Sequence, residues 1–212
     1  MANLIFHGDH TSASRQALNQ AIKAEQGREM IKLDGSKTSD TDLHQALESQ
    51  SLFGQEKLVV IDKLPVKFID ILTQYQGNTP IFIWHDKTLT PTQLKKLNNF
   101  KSQLFKIPAA IFNFLDQLNI STFHQALTTD APEQIFYMLH RRMAQLIQAK
   151  DSPQELKLAD WQKSRLISQA KRFTLDQLLK LHSQLLDIDI ALKTGKNFLP
   201  LDRTLELWLL NL

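Results

Sequence analysis

The stretch SLFGQEKLVVID, from Ser51 to Asp62, is the most informative part of this chain. Leu58 to Ile61 form a continuous apolar run, which is typical of a strand buried on both faces at the centre of a parallel sheet. Just upstream, Leu52 and Phe53 stand between polar residues, as in a surface connection. Taken on residue type alone, this pair belongs either to the core of the domain or to a contact with another protein.

Outward from this strand, residues 1–107 alternate short β-rich runs with helical segments, which predicts a parallel sheet covered by helices. Ser39 followed by Asp42, and Thr90 followed by Pro91, are expected helix N-caps. The predicted strands are Leu4 to His7, Met30 to Leu33, Lys57 to Ile61, Ile81 to Trp84 and Gln103 to Ile107, and the predicted helices are Ser12 to Glu25, Ser39 to Glu48, Val66 to Gln74 and Thr90 to Asn99.

After Pro108 the strand pattern gives way to helices. Asp151-Ser152-Pro153 and Gly195 are expected helix ends, and Pro200 precedes a short last helix. The apolar stripe of that helix packs either within a helical bundle or at a subunit interface, and it consists of Leu201, Leu205, Trp208, Leu209 and Leu212. The other predicted apolar faces are Ile135, Met138, Leu139, Met143, Leu146 and Ile147, and Leu178, Leu181, Leu185, Ile188 and Leu192.

The sequence thus predicts two domains. Residues 1–108 are expected to form a five-stranded, mostly parallel α/β domain, similar to AAA+ and P-loop domains but without a phosphate loop. Residues 109–212 are expected to form an all-α domain.

Composition restricts the function classes. The chain has no Cys, which excludes disulfides and Cys-ligated zinc and favours a reducing compartment. We expect neither a signal peptide nor a membrane span, and therefore a cytoplasmic protein without membrane partners. The net charge of +3 is spread evenly along the chain, so it does not single out a DNA-binding face.

The turn after the first strand, HGDHTSASRQAL, lacks the chemistry of nucleotide binding. It has one Gly and neither a GxxxxGK[ST] loop nor GxGxxG, so the backbone cannot wrap a phosphate. His7, His10 and the His85-Asp86 pair are conceivable metal or acid/base groups, but capping of loops is the simpler interpretation. We therefore expect no catalytic residue, no metal and no cofactor.

With these residues in view, the chain resembles the delta subunit of the bacterial DNA polymerase III clamp loader. The resemblance rests on collinear segments, strongest at SLFGQEKLVVID, that together cover most of the chain. The other segments are LIFHGD (Leu4 to Asp9), LDG (Leu33 to Gly35), TPIFIWHDK (Thr79 to Lys87), IFNFLDQL (Ile111 to Leu118), QIFYMLHRRMAQLIQAK (Gln134 to Lys150) and QAKRFTLDQLLKLHSQLLDIDIALKTGK (Gln169 to Lys196).

The resemblance implies a noncatalytic subunit that binds no ATP and acts in DNA replication. It implies that Leu52 and Phe53 form a wedge into an apolar pocket of the sliding clamp, with Ser51 and Gly54 shaping the turn. It also implies that the helical domain assembles with ATP-hydrolysing subunits and that DNA is a partner indirectly, within the complex. Candidate DNA contacts are Arg141, Arg142, Lys171 and Arg172.

The chain departs from the family pattern in one respect. Family members carry a small helical lid domain between the two parts, whereas only a few residues separate Ile107 from Ile111 here. Two alternatives from other classes stay open at this point: a degenerate nucleotide-dependent protein, and a nucleic-acid-binding module.

Overall fold

The structure, a computed structural model, describes residues 3–49 and 56–212. The chain divides into two compact units, Met1–Ile107 and Pro108–Leu212. The first is an α/β unit and the second is helical throughout its described elements, as the sequence predicts.

The first unit contains five parallel strands in the order β2-β3-β4-β1-β5. Consecutive strands are joined by helices, as parallel pairing requires. This is the parallel α/β arrangement that the strand and helix pattern predicts. The elements are β1 (Asn3–His7), α1 (Thr11–Ala24), β2 (Glu29–Asp34), α2 (Asp40–Glu48), β3 (Lys57–Asp62), α3 (Val66–Gln74), β4 (Ile81–His85), α4 (Pro91–Lys96) and β5 (Phe100–Leu104).

Both faces of the sheet are covered. Val59 and Ile61 of β3 point into a core closed by α2 and α3, whereas Leu58 and Val60 point into a second core that contains Leu18 of α1. All four β3 residues are nearly inaccessible to solvent. The continuous apolar run therefore reflects burial on both sides, as expected for a central parallel strand.

The predicted N-caps of α2 and α4 are confirmed. Ser39 accepts a hydrogen bond from the Asp42 amide while Asp42 accepts one from the Ser39 amide, and Thr90 and Gln93 form the same reciprocal pair. Such capping boxes satisfy backbone donors that the first helical turn leaves unpaired.

Two predicted elements of this unit differ from the observed ones. The fifth strand covers Phe100–Leu104 rather than Gln103 to Ile107. It is an edge strand with mostly exposed side chains, so its polar sequence gives little apolar signal. The residues that follow the strand contact the turn after β1 instead. The Phe105 amide donates to the His7 carbonyl, and the Ile107 amide donates to the Asp9 carboxylate. Helix α4 is also shorter than predicted and ends at Lys96.

In the second unit, α7 contacts α5, α6, α8, α9 and α10. Ile135, Leu139, Met143 and Leu146 of the predicted α7 face are buried, whereas Met138 and Ile147 are half-buried. The elements are α5 (Ala109–Gln117), α6 (Ile120–Leu127), α7 (Pro132–Asp151), a 3-10 turn (Pro153–Glu155), α8 (Asp160–Ala170), α9 (Leu175–Lys193) and α10 (Leu201–Leu209).

The stripe on α10 packs inside this unit, which decides between the two interpretations of it. Leu201, Leu205, Trp208 and Leu209 are buried, and the indole nitrogen of Trp208 donates to the Leu181 carbonyl of α9. The expectation for Leu212 is wrong, since it is 42% exposed beyond the helix end.

Candidate functional site

The predicted wedge, Ser51, Leu52, Phe53 and Gly54, lies outside the described residues. The structure does place the two ends of the segment that carries it, since α2 ends at Glu48 and β3 begins at Lys57. The strands are all parallel, so the segment returns to the sheet at its amino edge. The carboxyl edge, where α/β proteins of this kind bind ligands, is at the opposite end of the strands.

Both ends of this segment are held by polar contacts. The ammonium group of Lys57 is buried and donates to the Ala46 carbonyl and the Ser49 hydroxyl, each 3.0 Å away. On the β2 side, the Glu29 amide donates to the Glu56 carbonyl at 2.9 Å, and Arg28 forms an ion pair with the Glu56 carboxylate at 2.7 Å. Ser49 and Glu56, the described residues next to this segment, are therefore held in place by polar contacts.

A cleft at the amino edge of the sheet adjoins Ser49, Glu56 and Lys57. Its walls come from the last turn of α2, from α3 and from the loop that leads into β4, and the Tyr75 hydroxyl donates to the Leu47 carbonyl across it. Among the residues that line it are His44, Leu47, Ser49, Ile71, Tyr75 and Pro80.

The carboxyl edge shows why the first turn cannot hold a phosphate. Gly8 has a φ of +132°, and a Cβ there would lie 1.9 Å from the Phe105 carbonyl oxygen, so the backbone just after β5 packs directly on the turn. The Gly8 amide faces the carbonyls of His85 and Lys87, and the His10 amide donates to the Phe105 carbonyl. Protein carbonyls thus take the amides that a phosphate loop would leave for its ligand.

The start of α1 is engaged in the same way. The imidazole of His10 accepts from the Ala13 amide and caps the helix, and the Ser14 amide donates to the His10 carbonyl. Further along the edge, Arg15 forms an ion pair with Asp62 at 2.6 Å and stacks over the Trp84 ring at 3.6 Å. These internal contacts fill the edge and argue against a degenerate nucleotide site.

The two strand-end histidines are part of this packing. His7 and His85 are neighbours across the β1–β4 register, and Nδ1 of His7 accepts from the Leu89 amide at 3.1 Å. Burial lowers the pKa of His7, with a further contribution from His85, and burial also lowers the pKa of His85. Both imidazoles are therefore favoured in the neutral form. This arrangement fits the interpretation of His7 as a group that caps a loop.

Within residues 3–49 and 56–212, no group of three or more His, Asp or Glu side chains is arranged to hold a metal ion. No helix in those residues is long and apolar enough to cross a membrane.

The four candidate DNA contacts lie on the helical unit, in different settings. Arg142 has a side chain only 13% exposed, and it contacts Asp116 at 3.3 Å and Gln169 at 3.1 Å. Burial lowers its pKa while Asp116 opposes that shift. Arg172 donates to the backbone carbonyls of Asp116 and Gln117, whereas Arg141 and Lys171 are exposed.

Asp116 and Arg165 belong to the same cluster, and sequence reasoning missed them. Arg165 pairs with the second carboxylate oxygen of Asp116, so this one acid orients two guanidinium groups. Trp161, also missed, is 66% exposed one helical turn before Arg165. The i, i+4 spacing of Trp161 and Arg165 on one helix face is the signal that was available.

A second surface that sequence reasoning missed is the outer face of α9. The predicted apolar stripe of α9 is buried at Leu178, Leu181 and Leu185 and half-buried at Ile188 and Leu192. Three large apolar side chains on another face of α9 are exposed, Leu179, Leu186 and Ile190, and their spacing of seven and four residues places them on one helix face, which we call the α9 outer surface.

Comparison with known proteins shows similarity to solved structures but none to family models or curated sequences. No family model matches the chain, and no curated protein matches its sequence. Among solved structures, the chain is similar to the Bacillus subtilis DNA clamp loader delta protein (YqeN), with 13% sequence identity and a TM-score of 0.48 over 100% of this chain and 95% of that one.

Proposed function

We propose that this chain is a noncatalytic clamp-loader subunit in DNA replication that binds a sliding clamp through Leu52 and Phe53. The observation that carries the proposal is the SLFGQEKLVVID segment, which resembles the clamp-binding stretch of delta subunits. The described residues on either side of Leu52 and Phe53 are held in place, since Lys57 donates to the Ser49 hydroxyl and the Glu29 amide donates to the Glu56 carbonyl. A contact segment on a rigid frame loses less conformational entropy on binding.

The carboxyl edge of the sheet supports the noncatalytic part of this proposal. The amides of Gly8 and His10 face protein carbonyls, and Arg15 pairs with Asp62. A chain of this kind would act with ATP-hydrolysing partners rather than hydrolyse ATP itself.

The α9 outer surface supports assembly with those partners. Leu186 and Ile190 are 45% and 51% exposed and one helical turn apart, so they lie next to each other on one helix face. Contiguous exposed apolar surface of this kind marks protein–protein contacts.

The test is retention of the full chain on an immobilised sliding clamp. An aromatic and an aliphatic anchor that fill a pocket each contribute about 2 kcal/mol, so Leu52→Ala with Phe53→Ala should weaken binding by more than 100-fold. The matched control is Val66→Ala, an apolar residue of the same unit that is 71% exposed. Equal retention of the double variant and the wild type would sink the assignment.

A further inference from the structure

Two imidazole rings lie against each other in the helical unit, one from each of its two longest helices. His140 of α7 and His182 of α9 have ring centroids 4.5 Å apart, with an angle of 54° between the ring planes. Both residues are half-buried, so the pair can be reached from solvent. The two residues are distant in the chain, and the packing of α7 on α9 brings them together.

The helical turns that carry these rings are fixed by the core of the unit. Leu139 precedes His140 on α7, Leu178 lies one turn before His182 on α9, and both leucines are fully buried. The buried Phe136 ring meets the His140 ring edge-on, with centroids 6.4 Å apart. Side chains on packed helices hold their positions more precisely than side chains on loops, so the pair is pre-arranged.

The ring nitrogens of this pair are available to a ligand. Among the residues that the structure describes, none forms a hydrogen bond or an ion pair with the ring of His140 or His182. The rings of His7, His44 and His124, by contrast, each contact an amide or a carboxylate. Burial lowers the pKa of His182 and His140 lowers it further, so the neutral ring with a free lone pair is favoured near pH 7.

We propose that His140 and His182 together bind one transition-metal ion of the zinc, nickel or copper type, with water in its remaining coordination positions. Neutral imidazole is a common ligand of these ions, whereas Mg²⁺ and Ca²⁺ take oxygen donors. With two protein ligands, the site is smaller than the groups of three or more that are missing from the described residues. The bound ion links α7 to α9.

The separation of the rings fits two ligands of one ion. A nitrogen–metal bond of about 2.05 Å places the metal about 3.2 Å from each ring centroid. Two imidazoles at a right angle around the metal then have centroids about 4.5 Å apart, and a tetrahedral angle gives about 5.2 Å. The observed 4.5 Å lies at one end of this range, so small rotations of the two side chains suffice to aim one nitrogen of each at a shared ion.

Metal binding is measured on the full chain without an affinity tag, because a histidine tag would bind the same ions. An ion that binds only the native state raises its stability according to the concentration of the ion relative to Kd. At ten times Kd, Zn²⁺ or Ni²⁺ should raise the melting temperature by about 3 °C, and EDTA should reverse the shift. Mg²⁺ at the same concentration should have no effect.

Variants show whether these two rings hold the ion. His182→Gln keeps a polar side chain and removes one ligand, so it should weaken Ni²⁺ binding in isothermal titration calorimetry by more than about tenfold, which loss of an outer-shell partner alone can cost. His140→Gln should act in the same way. His44→Gln, at an exposed histidine of α2 that contacts Glu48, is the matched control and should bind like the wild type.

One equivalent of Cu²⁺ gives a test on the wild type that does not depend on the folding of any variant. The electron paramagnetic resonance spectrum should show coupling to two imidazole nitrogens, and His182→Gln should reduce this to one.

Three results would overturn the proposal: no thermal shift with Zn²⁺ or Ni²⁺, equal affinity of the wild type and both glutamine variants, or coupling of Cu²⁺ to fewer than two nitrogens in the wild type. The assays contain no clamp and no partner subunit. Their failure would therefore leave the clamp-binding proposal standing, and the reverse also holds.

Discussion

The ammonium group of Lys57 donates a hydrogen bond to the Ser49 hydroxyl at 3.0 Å, and so ties the end of α2 to the start of β3. Lys57 is only 8% exposed and also donates to the Ala46 carbonyl. Buried cations persist in proteins where hydrogen bonds satisfy them. The pair therefore fixes the position of Ser49, just after α2, relative to the start of β3.

Replacing Lys57 by Met keeps the apolar stem and removes these donors. We expect the free energy of unfolding to fall by about 1.5 kcal/mol, as measured by urea denaturation, because two acceptors lose a charged partner. Affinity for the clamp should fall as well, since Ser49 is no longer held next to the start of β3. Lys32→Met, at an exposed lysine of β2, should leave both quantities unchanged; an equal effect there would contradict the role given to Lys57.

Gly8→Ala tests the close approach of Phe105, the residue after β5, to the turn after β1. The added Cβ would meet the Phe105 carbonyl in a backbone conformation that L-residues rarely adopt. The free energy of unfolding should fall by about 3 kcal/mol. Gly195→Ala is the control that separates backbone strain from steric collision. Gly195 has a φ of +67°, but nothing lies within 4 Å of a Cβ placed there. The free energy of unfolding should therefore fall by only about 1 kcal/mol.

Mg-ATP should not raise the melting temperature of the isolated chain. Any ligand that binds the native state alone raises stability according to its concentration relative to Kd, so a filled site would be visible in a thermal shift. The amides of Gly8 and His10 already face protein carbonyls, which leaves no phosphate cradle at this turn. A concentration-dependent upward shift would restore the degenerate nucleotide-binding alternative.

Stability should decline in mild acid because of the strand-end histidines. Burial lowers the pKa of His7 and of His85, so below about pH 6.5 the unfolded chain binds more protons than the folded chain. The free energy of unfolding should therefore be highest near pH 7.5 and should fall as the pH drops through the lowered pKa values of His7 and His85. His7→Asn offers an oxygen to the Leu89 amide and should flatten this dependence, measured by urea midpoints at several pH values. An unchanged slope in that variant would rule out His7 as the source.

Polar substitutions on the α9 outer surface should block assembly without unfolding the chain. Leu186→Ser with Ile190→Ser removes two exposed apolar side chains on one helix face. We expect loss of co-purification with ATP-hydrolysing partner subunits and an unchanged melting temperature. Tyr137→Ser, at a 62% exposed residue of α7, is the matched control. Full assembly of the double variant would place the subunit interface elsewhere.

Local signals in the sequence were sufficient for much of the fold. The apolar run Leu58 to Ile61 predicted a central strand, and the Ser39 and Thr90 caps predicted the starts of two helices. These features depend on neighbours within a few residues, so local sequence carries them. The fifth strand was misplaced because it lies at the edge of the sheet and its mostly exposed side chains give little apolar signal.

The order of residue types sets the chemistry that each segment offers: a central strand, a turn without phosphate-binding glycines, and an apolar pair between polar residues. Which groups meet depends on the folded arrangement of the elements. It brought Phe105 against Gly8 and Arg142 and Arg165 onto Asp116, and it turned one face of α9 inward and left the other exposed. Such contacts join residues distant in the chain, and burial, charge pairing and exposure follow from the packing of whole elements rather than from local pattern.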